Sequence, residues 1–164
     1  MILKDINEIK KIRESAQLVS KTLGLLAEEI KPGITSLYLD KIAEEFILDN
    51  KAKPGFKGYD NFPNTLCVSI NNEVVHGIPC DTPLKNGDII SIDCGVLKDG
   101  FYGDHAYTFS VGEVSKEVQE LLDVTKKSLY LNEDTHELIC EESGLAYPIK
   151  DGIPVMLPEE ARKI

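Results

Sequence analysis

Two runs of strand-forming residues meet at a short turn signal in mid-chain, and no other stretch constrains the fold as much. Asp88-Ile89-Ile90-Ser91-Ile92-Asp93 is β-branched and apolar, Lys98-Asp99-Gly100 is a turn signal, and Phe101 to Val111 resumes with aromatic and β-branched residues. That spacing predicts an antiparallel hairpin. With the turn centred between Lys98 and Asp99, cross-strand partners have numbers summing to 197, which sets Asp93 opposite Asp104. Directly opposed side chains hold their Cβ atoms roughly 4.5 to 5.5 Å apart, where like charges destabilise. No arginine lies nearby to neutralise the pair. Three arrangements remain open: a divalent cation held through oxygen, a proton shared between the carboxyls, or a register displaced by one residue that turns one aspartate to solvent.

The remaining residues set bounds on partners and compartment. At 164 residues, with 42% apolar and 28% charged content, the chain is expected to form one domain, or one domain with a small appendage. A net charge of −10, from 28 Asp plus Glu against 18 Lys plus Arg, excludes a nucleic-acid partner, because phosphate binding needs a basic surface. Cys67, Cys80, Cys94 and Cys140 form no C-x-x-C pair and read as reduced thiols rather than a zinc ribbon or redox motif. The N-terminal MILKDINEIKKIRESA has no apolar signal core, and no run approaches the ~20 apolar residues of a membrane span. The expectation is a cytoplasmic protein with no membrane partner.

Periodicity supplies the rest of the plan. Ile6, Ile9, Ile12, Ala16, Val19, Leu23, Leu26 and Ile30 recur at steps of three and four, predicting an amphipathic helix over about 5–31. Lys31-Pro32-Gly33 stops it, and Thr35-Ser36 caps a second over 37–48. Asn50 to Phe62 reads as a loop carrying Phe56, Tyr59 and Phe62, and Thr65–Ile70 as a strand. His76, between a valine pair and Gly77, reads on residue type alone as packed and hydrogen-bonded more readily than catalytic. Ser115 caps a third helix to about Leu129, with Val118, Leu121, Leu122 and Leu129 on its apolar side. After Tyr130 come three short strands, 137–140, 145–149 and 153–157, and a helical stub at Pro158-Glu159-Glu160. The fold class is α+β, an antiparallel sheet with covering helices and a small β-rich tail.

These residues resemble the type I methionine aminopeptidases. The resemblance covers about residues 1–131 and rests on KPGITSLYLDKIAEEFI, LCVSINNEVVHGIP, LKNGDIISIDCGV and KDGFYGDHAYTFSVG. It implies half of a pita-bread fold, with Asp93 and Asp104 as two of five ligands to a dinuclear centre of Mn, Co, Fe, Zn or Ni. It also implies His76 as the histidine that contacts substrate near the scissile bond, and Phe56, Tyr59, Phe62 and Cys67 as the pocket for the methionine side chain. The implied activity is metal-assisted removal of N-terminal methionine from peptides.

The family's remaining histidines and glutamates have no counterpart after residue 131. Residues 132–164 instead resemble the last thirty or so residues of small bacterial proteins similar to a zinc-ribbon activator subunit of methyltransferases, without that family's opening C-P-x-C. The expectation is a chimera of 1–131 with 132–164, inactive as a monomer for want of the other ligands. The alternatives are a metal-binding homodimer with residual hydrolase activity, in which two Asp93-Asp104 pairs meet, and a folded chimera with no biochemical function.

Overall fold

The structure, a computed structural model, describes residues 4–127, 130–141, 143–150, 153–155 and 159–164. The chain divides into two compact units, Met1–Val114 and Ser115–Ile164.

The first unit opens with helix α1, Ile6–Glu29. Its start is fixed by a capping box in which the Asp5 side chain accepts from Asn7 N and Glu8 N while Asp5 N donates to Glu8, satisfying amide groups that a helix start leaves without partners. The inward face carries Leu18, Val19, Leu23 and Leu26, joined by Ser15 and Thr22. The predicted stripe differs at its N-terminal end, where Ile6 is 66% exposed and Ala16 faces solvent. Ser15 is buried instead because its hydroxyl donates to the carbonyls of Phe101, at 2.9 Å, and Lys98, tying the helix to the end of the hairpin. Helix α2, Ser36–Asp49, is capped by Thr35 and buries Leu39, Ala43 and Ile47.

Four strands form the first sheet: β1 Lys53–Pro54, β2 Leu66–Ile70, β3 Ile89–Lys98 and β4 Phe101–Ser110. β3 is central, with β1 and β2 along one side and β4 on the other, all antiparallel. Ile90, Ile92, Cys94 and Val96 of β3 are fully buried with the helix residues in one apolar core. α1 lies against β3 and β4 so closely that a Cβ at Gly103 would stand 2.5 Å from the Ser15 backbone.

The hairpin turn corrects the predicted register. Lys98 pairs with Phe101, and the two residues between them, Asp99 (φ 49°) and Gly100 (φ 84°), are both left-handed. That is the two-residue turn an Asp-Gly pair favours, because its twist matches that of the strands. The turn centre therefore lies between Asp99 and Gly100, and partner numbers sum to 199 instead of 197. Asp93 faces Ala106, and Asp104 faces Gly95.

The second unit holds helix α3, Lys116–Lys127, and strands β5 Tyr130–Asn132, β6 Glu137–Cys140, β7 Leu145–Lys150, β8 Ile153–Pro154 and β9 Arg162–Lys163. β7 pairs with β6, β8 and β9, and β5 with β6. Among the described residues these strands form a sheet of their own, with none joined to β1–β4. Arg162 grips Glu137 with two hydrogen bonds. Glu159 and Glu160 form a turn rather than a helical stub. Leu129, Met156, Leu157 and Pro158, assigned to elements from the sequence, lie outside the described residues. Among the described residues no helix is long and apolar enough to cross a membrane.

Candidate metal centre

The register shift of two keeps side-chain parity, so Asp93 and Asp104 remain on one face of the sheet. They are diagonal neighbours instead of directly opposed ones. Diagonal side chains of this kind are still within reach of each other, and the two carboxyls interact. Asp93 titrates at about 6, above the ordinary 3.8, because burial disfavours its charge and Asp104 adds repulsion and a side-chain contact. Its Oδ1 is buried and has no hydrogen-bond partner. An unpartnered buried carboxylate oxygen beside a second carboxylate calls for compensation, by a bound cation or by a proton shared between the two carboxyls.

The other predicted residues are placed as follows. Cys67 pairs with Asp93 across β2 and β3 and shares its face. Its thiol is pushed up to about 11 by burial and by the two aspartates. Phe56 lies over Gly95, the cross-strand partner of Asp104; a Cβ at position 95 would stand 2.5 Å from the Phe56 ring. Its loop folds back on itself through Gly58 N to Phe62 O and Tyr59 N to Phe56 O. Lys57 anchors that loop to Glu44 of α2 at 2.7 Å. Phe62 is half-buried in this loop, whereas Tyr59 is 77% exposed.

His76 is exposed rather than packed. Its φ of 58° is left-handed, a conformation costing a non-glycine residue on the order of 1–3 kcal/mol that clusters at functional sites. The neighbouring Gly77 holds it there, accepting from Val68 N and donating to Ser69 Oγ along the side of β2. From that position His76 lowers the Asp93 pKa against the larger opposing effects. Asp93, Asp104, Cys67, Phe56 and His76 are thus gathered about one face, with Tyr59 standing out in solvent.

Two supporting features were missed in the sequence. Asp40 of α2 is buried and accepts from Thr65 N at 2.9 Å, Leu66 N at 2.8 Å and Asn64 Nδ2 at 2.9 Å, fixing the start of the strand that carries Cys67. Its charged position within LYLDKIAEE resembles any solvent-facing residue of an amphipathic helix. On the same face as the aspartates, the Ser91 and Thr108 hydroxyls meet at 2.8 Å; that pair depends on the register and could not be read before it.

The donor set is hard oxygen, suited to a divalent cation. Among the described residues no group of three or more His, Cys, Asp or Glu gathers for a metal; Asp93 and Asp104 are a pair on this face.

Comparison with known proteins places this pair in context. The model of metallopeptidase family M24 matches residues 10–135. The chain belongs to metallopeptidase family M24. A methionine aminopeptidase of Borreliella burgdorferi is 54% identical over 128 residues, which are 78% of this chain and 51% of that protein. Among solved structures, methionine aminopeptidase of Rickettsia prowazekii superposes with a TM-score of 0.75 at 37% identity, over 78% of this chain and 52% of that one. That of Thermotoga maritima gives 0.75 at 33%, over 92% and 66%. The first unit has the fold of one half of the pita-bread enzymes it matches, and the family implies divalent metal. The chain spans about half the length of the curated relatives it matches.

Proposed function

We propose that this chain supplies the two-aspartate wall of a methionine aminopeptidase-type metal centre, and that one copy alone does not hydrolyse peptides. The observation that carries this reading is the buried, unpartnered Oδ1 of Asp93 beside Asp104. Asp93 and Asp104 hold the cation, of the Mn, Co, Fe, Zn or Ni class. A cation bound there supplies Lewis-acid activation for hydrolysis. The imidazole of His76, at the rim, donates to the carbonyl of a bound peptide or steadies the departing amide. Phe56, Phe62 and Cys67, with Tyr59 at the mouth, line the wall against a methionine side chain. Two carboxylates leave most of a dinuclear coordination shell unfilled, which is why the monomer is inactive and why a second copy is the expected partner. Residues 132–164 are read as joined from a second family, and the cytoplasm as the setting of the four free cysteines.

The test is Co²⁺ absorption spectroscopy together with methionine release from a Met-Ala-Ser peptide. Visible bands that appear with the wild type and vanish in Asp104→Asn support the site; release no faster than in buffer supports the inactive monomer. Turnover by the monomer would overturn the second half of the proposal, and bands unchanged in Asp104→Asn the first.

A further inference from the structure

Lys85, Asn86, Gly87 and Asp88 form a turn on the surface of the first unit, closed by Asp88 N donating to Lys85 O at 3.2 Å and by the Asp88 carboxylate accepting from Lys85 N at 2.8 Å. Gly87 takes the third position with φ 91°, a left-handed backbone that glycine adopts without strain. Asn86 and Gly87 are both exposed. Asn86 is the one asparagine of the chain followed by glycine; every other precedes a residue with a side chain. The pair sets a carboxamide carbon beside a main-chain nitrogen that no side chain screens.

The turn lies against the segment that leaves β4. Gly87 N donates to Val111 O at 2.9 Å, Val111 N donates to Asp88 O at 2.9 Å, and Glu113 N donates to Asn86 Oδ1 at 3.0 Å. The amide fits there only because position 112 is glycine: a Cβ on Gly112 would collide with Asn86 Oδ1. These bonds act in opposite directions on one reaction. The N–H of Glu113 sits where negative charge develops on Oδ1 when a nucleophile adds to the side-chain carbonyl, and a donor so placed stabilises that charge. The bond from Gly87 to Val111 instead holds the attacking nitrogen, so reaction waits on local opening of the turn. Exposed backbone hydrogen bonds at the end of a ladder open at free energies well below that of global unfolding.

We propose that Asn86 is a site of spontaneous covalent modification, deamidation through a cyclic imide, gated by opening of the hydrogen bond from Gly87 to Val111. In the open turn the Gly87 main-chain nitrogen loses its proton to solvent and attacks Asn86 Cγ. A C–N bond forms, the bond from Cγ to the side-chain nitrogen breaks, and ammonia leaves. Water then opens the imide. Attack at Cγ breaks the new bond and leaves aspartate at 86 with the main chain as before; attack at the Asn86 main-chain carbonyl carbon leaves isoaspartate, with the main chain running through the side-chain carbons. Either product adds one negative charge. Aspartate keeps an oxygen for Glu113 N. Isoaspartate lengthens the main chain by a methylene inside the turn, so the bonds from Gly87 to Val111 and from Glu113 to Asn86 no longer form together, and the end of β4 loses its tie to the start of β3. Nothing in this chemistry involves Asp93 or Asp104.

Peptide mapping of the full chain aged at pH 8 tests the site. Aspartate and isoaspartate at position 86 are expected before conversion at any other asparagine. The rate is expected to be at least about tenfold below that of a peptide of residues 82–91, the slowing that an opening free energy of about 1.4 kcal/mol gives, and to rise to the peptide's rate when urea unfolds the chain. Ion exchange separates the aged chain by its added charge; Asn86→Gln, which has to close a larger ring, is expected to give no such fraction. The charge-shifted fraction, which carries both products, is expected to unfold at a lower temperature than Asn86→Asp, and Asn86→Asp close to wild type. No product at 86 in the folded chain while the peptide converts fully, earlier conversion at another asparagine, an undiminished shifted fraction in Asn86→Gln, or a folded rate equal to the peptide's would overturn the proposal. A shifted fraction as stable as Asn86→Asp sinks the claim that isoaspartate breaks the tie to β4.

Discussion

Asp93 sets the pH behaviour of the metal-free chain. Its carboxyl titrates near 6 in the folded state against an ordinary 3.8, so between those values the native chain binds more protons than the unfolded one. Stability therefore falls as pH rises from about 4 to about 6 and levels off above. Thermal midpoints in EDTA across that range should show the decline in the wild type and lose most of it in Asp93→Asn. The cysteines give a second residue-level test. Hydrogen bonds from Thr82 lower the exposed Cys80 thiol, while Cys67 and Cys94 are raised to about 11 and about 12. Since the thiolate is the reactive form, iodoacetamide at pH 8 should label Cys80 well before the other two, as peptide mapping would show. At this scale the shared face of the two aspartates was legible from the sequence, and their direct opposition was not. Lys98-Asp99-Gly100 admits two turn centres, and only the left-handed backbone at Asp99 and Gly100 selects between them. The shift is even, so the face survived.

The elements that position the site depend on two contacts between helix and sheet. Asp40 links α2 to the start of β2 through two backbone amides and Asn64. Asp40→Ala leaves those buried amides unpaired, at about 1–3 kcal/mol for each unsatisfied group, whereas Asp40→Asn keeps one acceptor and costs less; urea midpoints should rank them in that order. Gly103→Ala thrusts a methyl into the α1 backbone at Ser15 and should cost about 1–3 kcal/mol by overpacking, read from the same midpoints. The helices α1 and α2 and strands β2 to β4 were legible because each has a long period or a β-branched run. β1 was not: Lys53-Pro54 carries no strand signal, and its place comes from pairing with Leu97 and Val96. β9 is similar, two charged residues held to β7 by backbone pairing. The apolar side read on α3 has Leu121 at 61% exposure, because amphipathic spacing shows that a face exists and not that this chain covers it.

On the scale of the whole molecule, the M24 match over residues 10–135 falls on the sheet that carries Asp93 and Asp104 on one face, with β4 bonded among the described strands to β3 alone. Both features follow from the same hairpin: β3 and β4 set the aspartates side by side, and β4 ends the sheet. Metal binding by the Asp93-Asp104 pair is the claim on which the proposed function depends. Calorimetric titration of the chain with Mn²⁺ at pH 7 tests it most directly. Saturable heat in the wild type, abolished in both Asp93→Asn and Asp104→Asn while their thermal unfolding stays cooperative, is the predicted result. No heat in the wild type, or equal heat in all three, would contradict it.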